Sequence, residues 1–211
     1  MGGGAGQQAI PLSRKGHEVT ILDPSPKMLA EARRRLAREN EDVCRRVRLV
    51  EGTGERAREA LDGETFDAAL CHGVLMYLED PRPMIHALSA LVRPGGVVSV
   101  LTKNAAALAA RPALEGRYHD ALSSLKVDRD RGRLGVVTRG DTVENLTLYF
   151  GEAGLELESW YGVRVFTDHL GERMPGEDLP EVLELEWEAG RRDPYRSVAR
   201  LIHLVGRKKS L

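Results

Sequence analysis

The residues with the clearest chemical potential stand at the start of the chain. Gly2-Gly3-Gly4-Ala5-Gly6 is followed by a strand-like run, His17-Glu18-Val19-Thr20-Ile21-Leu22, that closes on Asp23. A bend without side chains lets backbone amides approach a ligand closely, and an acid at the tip of the next strand can accept hydrogen bonds from a ribose diol. Together they are the means by which a Rossmann-type βαβ unit holds an adenosine cofactor. Gly4-x-Gly6-x-x-Ala9 alone also satisfies the dinucleotide pattern, and Asp23 could instead cap the helix that Ser25-Pro26 opens. Later apolar runs also end in polar residues, at Gly54-Glu55 and at Cys71-His72. Glu55 has a plain alternative as a solvated first-turn acid, and His72 as a strand-end histidine with an internal partner. Cys71 reads as a small buried apolar residue rather than a nucleophile.

The spacing predicts the elements that position these groups. A short helix over residues 7–15 ends at Gly16, and a helix after Ser25-Pro26 places Met28, Leu29, Ala32 and Leu36 on one side. Strands are predicted over 47–51 and 66–72, then a helix over 83–91, a tight turn over 92–96 and a strand over 97–101. Strands alternating with helices argue for an α/β fold, a parallel sheet with helices on both faces. Beyond Thr102 the pattern changes to an excursion over about 104–140, followed by a helix over 141–153 with Gly154 as its cap. Late strands over 155–166 and 198–205 flank an acidic helix over 179–189, which suits an antiparallel edge on an otherwise parallel sheet. Residues 1–211 are read as a single domain. The strand that should feed the glycine bend is not among these elements, so the first strand is expected upstream of Met1.

Composition sets outer bounds. The chain has 211 residues, 42% hydrophobic and 30% charged, enough for a sizeable core. A formal net charge of −1 supplies no global field for nucleic acid, though a local basic patch remains open. Its two cysteines, Cys44 and Cys71, lack metal-ligand spacing, and no apolar run approaches the roughly 20 residues that span a bilayer. A cytoplasmic protein without metal or membrane partner is the expectation.

The motifs taken together resemble those of class I S-adenosylmethionine-dependent methyltransferases: the glycine bend, Asp23, Gly54-Glu55, Cys71-His72 and Arg93-Pro94-Gly95-Gly96 in order. The second half narrows the resemblance. Asp80-Pro81-Arg82, Asn104-Ala105, Gly162-Val163-Arg164-Val165-Phe166, Leu183-Glu184-Leu185-Glu186, Pro194-Tyr195 and Ile202-His203 are similar to the bacterial tRNA carboxymethoxyuridine methyltransferases, which esterify the carboxylate of a modified wobble uridine. The resemblance implies S-adenosyl-L-methionine as cofactor, with Gly2, Gly3 and Gly4 against its methionine part and Asp23 on its ribose. Gly54 and Glu55 would bracket the adenine, Glu55 standing where the family has an amide, and His72 would border the transferring methyl. The family also carries a segment ahead of the bend, holding the first strand, an acid and a basic residue, so Met1 is expected to be an internal codon. A carboxylate acceptor needs cationic or amide donors, for which Asn104, Arg164, Tyr195 and Arg200 are candidates. Arg164, set in Val-Arg-Val-Phe, points to a specific partner, either substrate or an internal Glu. RNA would meet Arg111, Arg117, Lys126, Arg129, Arg131, Arg133 and Arg139, with Tyr118 to stack on a base, unless these form an ordinary solvated loop. Two other classes stay open: a methyltransferase of a small carboxylate-bearing metabolite, and a nicotinamide-dependent oxidoreductase or nucleotide-binding module.

Overall fold

In the computed structural model, which describes residues 1–131, 135–171 and 176–210, the helices and strands expected up to residue 91 are found. The glycine bend leads into α1 (Ala9–Arg14), and β1 (Val19–Asp23) follows. Helix α2 (Pro26–Leu36) starts where Ser25 Oγ accepts from Met28 N at 3.3 Å and proline occupies the first turn, and it buries Leu29, Ala32 and Leu36. A short α3 (Glu41–Arg45), capped by Asn40 Oδ1 accepting from Val43 N at 2.9 Å, precedes β2 (Val47–Glu51). Then come α4 (Ala57–Ala60), β3 (Phe66–His72), α5 (Arg82–Leu91) and β4 (Val92–Lys103). Residues 92–96, expected as a turn, belong to β4. A register shift between Phe66 and Ala68 takes up the irregularity on the partner strand.

The excursion leaves β4 at Asn104 and returns at Asp141, where those two residues form an isolated bridge. It holds α6 (Ala110–Leu114), α7 (Tyr118–Ser124) and a hairpin of β5 (Arg129–Arg131) with β6 (Val137–Arg139). The hairpin forms where a charged loop was expected, and it folds back onto buried Lys103, whose ammonium donates to Asp130 and to Thr138 Oγ1. Helix α8 (Val143–Glu152), β7 (Leu155–Val163), α9 (Leu179–Gly190) and β8 (Leu201–Lys208) complete the chain. Strand β7 starts where expected and ends three residues early, and β8 lies three residues later than its expected span.

β1 and β2 pair in parallel, and so do β3 and β4, while β8 lies antiparallel between β4 and β7, giving the order β3-β4-β8-β7. Between β1 and β3 lie the first three residues: Gly3 N donates to Leu22 O of β1 at 3.1 Å, and Met1 N donates to Leu70 O of β3 at 2.5 Å. Helices cover both faces. Cys71, Val98, Val100, Ile202 and Leu204 meet α5 and α8 through Ile85, Leu88, Leu146 and Phe150, whereas Ile21 turns to α2 and Leu22 to α4. Period-two alternation along β8 puts Ile202 and Leu204 into the core and His203 onto the other face, towards α9.

That other face carries a hydrogen-bonded chain across three strands. His72 Nε2 lies 2.8 Å from Ser99 Oγ, which lies 2.7 Å from His203 Nε2. A hydroxyl has one proton, so one imidazole must donate to Ser99 and the other must accept, and the two tautomers are set reciprocally. Burial, reinforced by the neighbouring His203, pushes His72 down to about 4, and burial also lowers His203.

Two stability effects follow. Phe150 is fully buried, so Phe150→Ala should cost roughly 3–5 kcal/mol in urea unfolding. His72 is neutral in the fold but takes up a proton in the unfolded chain below its ordinary value of 6.5, so stability should fall as pH drops from 6.5 towards 4. His72→Gln, which cannot titrate, should show a shallower decline of the urea midpoint between pH 7 and pH 5 than the parent chain.

Candidate active site

The glycine bend is anchored from two sides. Gly2, Gly4 and Gly6 adopt φ of 63°, 52° and 76°, the left-handed region that glycine enters without cost. A Cβ on Gly2 would stand 2.3 Å from Val74, and one on Gly3 would stand 2.8 Å from Ile21, so the bend lies flat on β1 and on the segment after β3. At Gly4 the missing side chain faces only the flexible end of Met28, at 3.4 Å. Asp23, 7% exposed at the carboxyl end of β1, receives the bend: Oδ2 accepts from Gly4 N at 2.8 Å and Oδ1 accepts from Ser25 N at 2.9 Å. The cap of α2 is Ser25, so Asp23 is not used as one.

Each oxygen of Asp23 keeps a second lone pair, which suits a ribose diol. The uncovered backbone at Gly4 suits the close approach of a ligand chain. An adenosine sulfonium compound therefore fits the groups present. Gly54 is close to the bend, since a Cβ there would meet Met84 at 2.2 Å and Met1 Sδ at 3.7 Å. Glu55 is exposed and faces a shallow depression shared with Arg56, Arg58, Glu59 and Asp62. His72 closes β3 on the same edge, its Nδ1 buried without a hydrogen-bond partner among the described residues. Burial raises the Cys71 thiol to about 11, which keeps it protonated and unreactive.

Strand register continues this edge towards the second half of the chain. His72 pairs with Leu101, and Lys103 pairs with Leu201, which pairs with Val163, so Asn104, Arg200 and Arg164 come side by side. They behave differently. The Asn104 amide is spent on the protein itself: Nδ2 donates to Ser197 O and Ala199 O, and Oδ1 accepts from Ala106 N. Tyr195 is half exposed and packs edge-on against Phe166 at 6.0 Å. Arg164, held at φ 61° where a side chain is strained, is fixed because Glu186 of α9 accepts from the backbone amides of Val165, Phe166 and Thr167. Arg164 and Arg200 both turn to Asp168, at 3.4 and 3.7 Å.

The internal partner of Arg164 is an aspartate, Asp168, and not the glutamate expected from sequence. Arg111, assigned from sequence to RNA contact, joins it at 4.0 Å. Sequence reasoning missed Asp168, Lys103 and Glu186. The one local signal was Asp168 standing four residues after Arg164. Beside Arg164 and His203 opens a cavity of about 700 Å³ between β7 and α9, walled by Tyr161, Val163, Leu183 and Trp187, with Tyr161 and Trp187 stacked at 5.9 Å. The excursion cations are mostly paired, Arg117 with Glu115 and Asp120, Arg129 with Glu79, and Arg139 with Asp141. Tyr118 is exposed on α7. Arg133 lies outside the described residues. Among the described residues there is no group of three His, Cys, Asp or Glu side chains placed to hold a metal, and no helix long and apolar enough to cross a membrane.

Comparison with known proteins agrees with this geometry. A family model described as a methyltransferase domain matches residues 1–98. The tRNA 5-carboxymethoxyuridine methyltransferase of Escherichia coli O157:H7 is 32% identical over 208 residues, 98% of this chain and 78% of that protein. A ubiquinone biosynthesis O-methyltransferase of Methylocella silvestris is 38% identical over 105 residues, 49% of this chain and 38% of that protein. Among solved structures, an S-adenosylmethionine-dependent methyltransferase of Mesorhizobium loti superposes with a TM-score of 0.63 at 21% identity, covering 98% of this chain and 88% of that one, which establishes the class I fold. The oxidoreductase alternative is thereby set aside. The chain is an S-adenosylmethionine-dependent methyltransferase and belongs to the family that includes the bacterial tRNA 5-carboxymethoxyuridine methyltransferases.

Proposed function

We propose that this methyltransferase esterifies a carboxylate carried by a modified uridine of tRNA, in the cytoplasm, with residues 1–211 acting as one unit and residues 104–140 on the acceptor side. The observation that carries the reading is the convergence of Arg164 and Arg200, from two separate segments, at the edge that also holds Asp23 and His72. Similarity to the E. coli tRNA enzyme extends through these acceptor-side residues, whereas the ubiquinone enzyme matches about half of the chain. The aromatic wall of the cavity beside Arg164 suits a pyrimidine ring.

In this reading Gly2, Gly3 and Gly4 hold the amino-acid part of the cofactor, Asp23 its ribose, Gly54 and Glu55 its adenine, and His72 borders the reacting centre. When bound, S-adenosylmethionine supplies a methyl group made electrophilic by its sulfonium. A carboxylate is already ionised at neutral pH, so the acceptor needs no general base. The work left to the protein is orientation, worth up to roughly 7–11 kcal/mol when reacting atoms are held in line. Arg164 and Arg200 would orient the carboxylate, Tyr195 would border it, and Asn104 would act at one remove by tying β4 to the 197–199 segment that leads into Arg200.

Incubation with methyl-labelled cofactor and tRNA from cells lacking the ester tests the reading. Label should enter one nucleoside as an alkali-labile ester, at a rate nearly flat between pH 6.5 and 8.5. Alkali-stable label in the RNA, or label only in small molecules that survive ribonuclease treatment, would contradict it.

A further inference from the structure

The acceptor edge contains a set of charges that folding alone does not call for. Asp168 is 7% exposed, and three guanidinium groups from three segments of the chain surround its carboxylate, Arg164 at 3.4 Å, Arg200 at 3.7 Å and Arg111 at 4.0 Å. Among the described residues neither carboxylate oxygen accepts a hydrogen bond. Elsewhere in the molecule such pairs close fully, as in Arg48–Glu64 at 2.5 Å and Arg82–Asp80 at 2.8 Å. Charge-assisted bonds are strongest near 2.7–2.9 Å, so the groups around Asp168 hold one another by charge while leaving donors unused. Arg200 donates no side-chain hydrogen bond among the described residues, and its remaining acid, Asp130, is 3.8 Å away.

The charge balance is specific. Arg111 has a closer acid in Glu115 at 2.7 Å, and Asp130 is bonded to Lys103. With those pairs matched, Arg164 and Arg200 share Asp168, and among the described residues one positive charge is left over. Arg200 is partly buried and Arg164 is more open, so the uncompensated charge is only partly relieved by water, and an incoming ligand carrying a single negative charge would complete the set. A doubly charged ligand would overshoot it and would face the Asp168 carboxylate at short range.

We propose that Asp168 is a positioning residue that holds Arg164 and Arg200 as a preformed seat for a singly charged carboxylate and turns that seat against a doubly charged phosphate. The inference rests on the reading of a carboxylate acceptor. It separates a carboxymethyl group on a ring from a phosphomonoester, which carries two charges at pH 8, and not from the singly charged phosphodiesters of an RNA backbone. Arg111 flanks the seat and connects it to the excursion.

The test is a titration of the full 211-residue chain at pH 8 with phenoxyacetate, a carboxylate on an aryl ether, and with phenyl phosphate, a dianion on the same ring. The parent chain should bind phenoxyacetate more tightly, and Asp168→Asn, which removes one charge with little change of shape, should shift the ratio by about tenfold towards phenyl phosphate. Asp168→Glu should retain the original preference, and Arg200→Gln should lose both ligands. A ratio unmoved by Asp168→Asn in a folded chain would overturn the proposal, as would undiminished phenoxyacetate binding by Arg200→Gln. Should Asp168→Asn not fold, the parent chain decides: tighter phenyl phosphate overturns the seat. Failure to methylate tRNA with the anion preference intact would remove the RNA acceptor and leave the seat standing. Methylation of tRNA with a preference indifferent to Asp168→Asn would do the reverse.

Discussion

The hydrogen bond from Gly4 N to Asp23 is the interaction on which the geometry of the site depends. It ties a bend of residues in left-handed conformations to the end of β1, and Gly3 N does the same through Leu22 O. A bond to an ionised acceptor contributes about 1.5–3 kcal/mol, and its loss would leave a buried carboxylate short of a donor. The glycines make the close approach feasible, since a side chain at Gly3 would collide with Ile21. Once the bend is pinned, the carboxyl ends of β1, β3 and β4 share one edge with the start of β8 and the end of β7. Ligands of open α/β sheets bind along that edge.

The two ends of the edge are built on different physics. At the end proposed for the cofactor the available groups are backbone amides and one carboxylate, set by local chain geometry. At the end proposed for the acceptor they are long charged side chains brought together from α6, β4, the segment after β7 and the segment before β8. Such charges are tolerable out of water only when paired, which explains why Lys103, nearly fully buried, is held by Asp130 and Thr138 of the excursion hairpin. Burial lowers the Lys103 ammonium against the pull of Asp130. Glu186 performs the equivalent task for the backbone around Arg164, anchoring three consecutive amides from α9.

Much of this was legible in the amino-acid sequence, and the remainder was hidden for identifiable reasons. Periodicity and glycine placement revealed β1, β3, α2, α5 and the partnership of the bend with Asp23, because each is settled within about twenty residues. The antiparallel edge of β7 and β8 was legible from two apolar runs flanking a helix. Residues 92–96 looked like a turn because Pro94-Gly95-Gly96 is turn composition, yet pairing with β3 draws them into β4. The hairpin of β5 and β6 escaped notice because its strands are three residues each and are held by Lys103, far away in sequence. Asn104 looked like a free donor, but carbonyls some ninety residues distant consume its amide. The spacing of four residues between Arg164 and Asp168 hints at one partner of Asp168, but no local pattern brings Arg111 and Arg200 to it. Charge constellations of this kind are products of tertiary structure.

The central claim is that Asp23, docked on the glycine bend, organises the cofactor site. Calorimetric titration of S-adenosylhomocysteine into the parent chain and Asp23→Asn tests it most directly. An amide at that position can accept from only one of the two backbone amides and offers a donor where an acceptor is required, so affinity should fall by more than about tenfold while circular dichroism is unchanged. Parent-like affinity in a folded Asp23→Asn chain would contradict the account.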